Sequence, residues 1–139
     1  MVKLIVGHKG TGKTKMLVGL ANSAVETSNG SIVFINKDHS LMYDLKYQIR
    51  VICMEEFDDI TNIDEYIGFL YGIISSDHDM ETIFIDGILH YADVEIEHMK
   101  EFLTRLQGIS ARYKIDFVVS LSAEQADLGD SIDGCELIN

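Results

Sequence analysis

Residues 3 to 14 read Lys-Leu-Ile-Val-Gly-His-Lys-Gly-Thr-Gly-Lys-Thr. Three signals follow one another here in a fixed order. Lys3 to Val6 is a short apolar, β-branched run ending in glycine, which reads as a buried strand. Gly7, Gly10 and Gly12 let the backbone curl, so that consecutive N–H groups point into one concavity that attracts an anion. Thr14 to Thr27 then places Met16, Leu17, Leu20, Ala21, Ala24 and Val25 on one helical face. A helix starting at this point aims its N-terminal N–H groups and its dipole at the same concavity. Lys13 adds a cation to it, and Thr14 adds a hydroxyl able to ligate a divalent metal.

Strand and helix signals alternate along the rest of the chain. Ser28-Asn29-Gly30 is a turn, Ser31 to Ile35 a second strand, Lys37 to Lys46 a polar loop, and Arg50 to Met54 a third strand. Asn62 and Glu65 form a capping box for a helix carrying Ile63, Tyr66, Ile67, Leu70 and Ile74. Thr82 to Ile85 is an apolar fourth strand, as expected where helices cover both faces of a sheet. Val94 to Tyr113 is predicted as one long helix with Ile96, Met99, Leu103, Leu106 and Ile109 buried, and Asp116 to Leu121 as a fifth strand. The acidic tail from about residue 123 is expected to end in a short helix or to fray. The pattern predicts a single α/β domain over residues 1–139. It is a three-layer sandwich, with a mostly parallel, five-stranded sheet and helices on both faces.

The chain has 11 Lys and Arg against 23 Asp and Glu, a net charge of −12. Such a balance argues against a nucleic-acid partner or an anionic membrane surface, both of which need clustered basic residues. Cys53 and Cys135 share no motif spacing and fit a reducing, cytoplasmic setting. No apolar run is long enough for a signal peptide or a membrane span.

Residues 7 to 14 satisfy the pattern G-x-x-x-x-G-K-[ST], and here the chain resembles the P-loop NTPase superfamily. More narrowly, it is similar to short bacterial P-loop proteins often labelled as twitching-motility ATPases. The resemblance implies that Gly7, His8, Lys9, Gly10, Thr11, Gly12, Lys13 and Thr14 bind the phosphates of ATP. It implies that Lys13 reaches the β- and γ-phosphates and that Thr14 ligates Mg²⁺. P-loop enzymes also place an acidic metal-binding residue at the end of an apolar strand, and Asp86, closing Thr82-Ile83-Phe84-Ile85, has that position. Lys13 and Asp86 are therefore the expected catalytic pair, with Thr14 and Asp86 the metal ligands.

Two departures from the resemblance bear on turnover. In many ATPases a glutamate after the strand aspartate orients the attacking water, but here the residue is Gly87. No arginine is obviously placed as a finger. Glu124, just beyond the last strand, is the candidate substitute carboxylate, and Ser120 or Ser122 could sense the γ-phosphate, because in P-loop ATPases of the catalytic-glutamate division the last strand lies between the cradle strand and the aspartate strand. The Asn-Lys-x-Asp string of GTP-binding proteins is not formed, since Asn36-Lys37-Asp38 lacks the intervening residue. The expectation is an ATP-binding protein with slow hydrolysis, or hydrolysis that depends on a protein partner or a second copy completing the site. The alternatives are a nucleoside-type kinase resembling thymidine kinases and a nucleotide-binding module without turnover.

Overall fold

The computed structural model describes residues 1–88 and 96–139. Four strands and two helices come first: β1 (Val2–Gly7), α1 (Lys13–Thr27), β2 (Ser31–Asn36), β3 (Ile49–Cys53), α2 (Ile63–Ser75) and β4 (Met80–Asp86), with helical crossovers after β1 and β3 and a turn-rich loop between β2 and β3. After the undescribed residues come α3 (Met99–Tyr113), β5 (Asp116–Ser122), α4 (Gln125–Leu128) and a two-residue strand, β6 (Glu136–Leu137). The sheet has the order β3-β2-β4-β5-β1-β6, and every neighbouring pair in it is parallel. The fold among the described residues is thus α/β, with a six-stranded, all-parallel sheet.

The period-two alternation of the strands assigns their residues to the two faces. Ile5, Ile32, Phe34, Phe84 and Val118 pack with Leu17 and Ala21 of α1. The residues between them, Leu4, Val33, Ile35, Ile83, Ile85 and Val119, pack with Tyr66 and Leu70 of α2 and Phe102 and Leu106 of α3. Apolar residues on both sides of each central strand are what a covered parallel sheet requires. The layering is compatible with a three-layer sandwich.

The sheet has one strand more than the five expected. Glu136 and Leu137 pair with Lys3 and Leu4, and Ile138 N–H donates to the Leu4 carbonyl at 3.0 Å. Two residues show no periodicity, so only their distant partner makes them a strand. The acidic tail is also held to α3, by Lys100 to Asp130 at 2.9 Å and by Gln107 to the Asp133 carbonyl at 3.0 Å.

Three local expectations change. Met16 is 36% exposed and lies off the buried stripe of α1. The capping box at α2 is offset: Asn62 Oδ1 accepts from Glu65 N–H at 2.9 Å, but the Glu65 carboxylate accepts from Thr61 N–H at 2.8 Å instead of Asn62. The α-helix expected from Val94 begins at Met99 after a 3₁₀ turn over Ile96–His98, while Val94 and Glu95 lie outside the described residues. A tight turn continuing the apolar spacing is indistinguishable from helix by periodicity.

Tyr66 is fully buried against Phe69 and Phe102, and its hydroxyl has no hydrogen-bond partner among the described residues. Burial accordingly pushes the phenol pKa up. An unsatisfied buried hydroxyl costs ~1–3 kcal/mol, so Tyr66→Phe is expected to stabilise the fold by about 1 kcal/mol in urea unfolding. A loss of that size would instead show that the hydroxyl is bonded.

Candidate functional site

The loop between β1 and α1 turns on glycines at positive φ, Gly10 at 88° and Gly12 at 83°. Gly7 is required for a different reason: a β-carbon there would lie 2.9 Å from Thr11 Oγ1. The loop is braced from within, since Thr11 Oγ1 and Lys13 Nζ both donate to the His8 carbonyl, each at 2.7 Å. Helix α1 has no side-chain cap and no acidic residue in its first turn. Its N-terminal N–H groups and dipole are therefore not neutralised by the helix's own side chains.

Lys13 is 8% exposed. Burial lowers its pKa, and the facing Asp86 carboxylate opposes that shift. Asp86, at the end of β4, accepts the Thr14 hydroxyl at 3.0 Å and the Ser120 hydroxyl at 2.5 Å. Ser120 in turn accepts the Gly87 N–H at 3.1 Å. The carboxylate is thus fixed by the adjacent strand, where Asp86 and Ser120 are register partners. Gly87 lies at φ 72°, a conformation that glycine adopts and a glutamate would strain.

These groups open onto a cleft of about 760 Å³, a size suited to a small-molecule ligand. Of the predicted loop residues, Lys9, Gly10, Gly12, Lys13 and Thr14 line it, as do Asp86, Gly87 and Ser122. Gly7, His8 and Thr11 brace the loop without lining the cleft. Among the described residues, four lysines (Lys9, Lys13, Lys15 and Lys37) and two aspartates (Asp44 and Asp86) line it, a positive balance in a chain of net charge −12.

Two expected roles do not survive the geometry. Ser120 is 2% exposed and holds Asp86 instead of facing the cleft, leaving Ser122 as the serine at its wall. Glu124 meets the His8 ring at 2.5 Å outside the cleft. The arginines are elsewhere: Arg105 pairs with Asp64 at 2.5 Å, Arg112 lies 5.3 Å from the Tyr113 ring centroid, and Arg50 is on edge strand β3. His90 lies outside the described residues, and among those described no cluster of three or more His, Cys, Asp or Glu could hold a metal by itself.

The second wall was not anticipated. It consists of Val18 on α1, Asn36 and Lys37 at the end of β2, and Leu41 and Asp44 beyond. Asn22 of α1 fixes this wall, donating to the Asp44 carbonyl and accepting the Lys46 N–H, both at 2.9 Å. The available signal was positional, because clefts in parallel sheets form at the carboxyl ends of strands, and Asn36 is the first polar residue after the apolar run of β2.

Compared with known proteins, the chain matches no family model and no curated sequence. Among the described residues, no helix is long and apolar enough to cross a membrane.

Proposed function

We propose that this chain is a P-loop protein that binds ATP with Mg²⁺ and, by itself, hydrolyses it slowly. The observation that carries the reading is the convergence of Lys13, the Thr14 hydroxyl and the Asp86 carboxylate, 3.0 Å from that hydroxyl, at the floor of a glycine-turned anion nest. The sheet order supports it too, since β5 separates β1 from β4, the order the resemblance implies. Lys13 serves the phosphates as a cation, and the loop N–H groups cradle them. A hydroxyl and a carboxylate on oxygen atoms suit a hard divalent cation, so Thr14 and Asp86 would hold Mg²⁺ together with the ligand's own oxygens. The metal supplies charge neutralisation on the phosphates. Ser120 keeps Asp86 in place for this. A nucleoside kinase is less well supported, because Gly87 leaves no second carboxylate beside Asp86.

Thermal unfolding tests the reading. MgATP or MgADP at about 100 times its dissociation constant should stabilise the fold by ~2.7 kcal/mol, a melting shift on the order of 10 °C. Asp86→Asn should weaken the magnesium-dependent part of triphosphate binding and leave ADP binding in EDTA nearly unchanged. Equal losses in both would make Asp86 structural, and no shift with any nucleotide would remove the proposal.

A further inference from the structure

Lys9 stands at the turn of the loop, immediately before Gly10 with its φ of 88°. Its neighbour is held from two sides. The His8 carbonyl accepts from Thr11 and Lys13, and the His8 ring meets Glu124 at 2.5 Å. That pairing draws residue 8 out to the segment after β5, while Lys9 lines the cleft together with Asp86, Gly87 and Ser122. Two lysines outside the cleft have partners on the anionic surface, Glu26 for Lys46 and Asp130 for Lys100. Lys9 makes no ion pair among the described residues. It is also unlike Lys13, whose ammonium is buried and bonded to the His8 carbonyl. An exposed ammonium in a concave, positive site is an electrostatic attractor for an anion entering it.

We propose that Lys9 is the contact by which this site distinguishes a nucleoside triphosphate from a diphosphate, its ammonium meeting the terminal phosphoryl oxygens. The proposal rests on the nucleotide-binding reading above. The N–H groups of the loop and of the first turn of α1 hold the inner phosphates. A further phosphoryl then extends toward the strand ends, where Asp86, Gly87 and Ser122 form the wall and Lys9 supplies the remaining exposed cation of the loop. A diphosphate stops short of it.

Calorimetric titration of MgATP and MgADP into wild type, Lys9→Met and Lys9→Arg tests this. Methionine keeps most of the length and removes the charge, and retained ADP affinity reports that the variant is folded. Wild type should prefer ATP. Lys9→Met should lower the ATP-over-ADP preference about tenfold, the worth of one charged hydrogen bond, entirely through weaker ATP binding. Lys9→Arg should keep most of the preference. An unchanged preference in Lys9→Met overturns the proposal alone, as does an equal loss of both nucleotides. A wild-type protein that binds neither nucleotide overturns the nucleotide reading with it.

Discussion

The chain alone is expected to release phosphate from MgATP at below ~10⁻² per second, and a partner that completes the site is expected to raise that rate by ~10³ to 10⁵. Phosphoryl transfer needs charge neutralisation, an oriented water and a cation that meets charge developing on the γ-phosphoryl. In the proposed site, Lys13, Thr14 and Asp86 would address the first. Gly87, at φ 72°, leaves the usual water-orienting carboxylate out, and no arginine lines the cleft. Lys9 is proposed above as a ground-state contact, and binding ground and transition states equally does not raise turnover. A steady-state phosphate-release assay measures this, with Lys13→Ala as the control for contaminating ATPases. Lys13-dependent turnover of ~1 per second or faster would mean a complete site in this chain. Asp44 would then be the first residue to replace, because among the described residues it is the other carboxylate lining the cleft.

Lys13→Ala is expected to weaken binding of both ATP and ADP by about 100-fold, since it removes charged hydrogen bonds worth ~1.5–3 kcal/mol each. The nucleotide-induced melting shift should largely vanish. The fold itself should persist, because α1 is held by Leu17 and Ala21 against the sheet and Lys13 contributes one bond to the His8 carbonyl. Far-ultraviolet circular dichroism checks this directly. A full shift in the variant would show that Lys13 does not touch the ligand. Lys9→Met differs in its expected pattern, changing the ratio of the two affinities while sparing ADP.

What the sequence made legible was local. The loop from Gly7 to Thr14 is eight consecutive residues whose geometry is written in its glycines, and Asp86 closes an apolar run that reads as a strand. What stayed hidden depended on strand order. Ser120 holds Asp86 because β4 and β5 are neighbours in register, a pairing no single segment shows. Asn36, Lys37, Leu41 and Asp44 join the cleft because β2 lies beside β4 and because Asn22 of α1 ties down the Asp44 and Lys46 backbone. The left-handed conformation of Gly87 gives a physical reason for a glycine at this position. Tyr66 was legible as a core residue, but its unpartnered hydroxyl was not.

The neighbours of β1 set the order in which this molecule can assemble. Strand β1 pairs with β5 and β6, whose residues begin at Asp116 and Glu136, and among the described residues it has no sheet partner nearer in sequence. The strand that leads into the glycine loop is therefore made before either of its sheet partners. It can enter the sheet only after the segments from Asp116 and Glu136 are present. Closing so long a loop is slow compared with forming local contacts, and until it closes an apolar strand stays unpaired and prone to wrong partners. Asn139 completes the insertion, its side-chain amide donating to the Val6 carbonyl at 2.6 Å and accepting the Val6 N–H at 3.1 Å, just before the loop begins. The glycine loop thus takes its place in the sheet only when two segments far along the chain close around β1, so its geometry depends on the most distant contacts of the sheet.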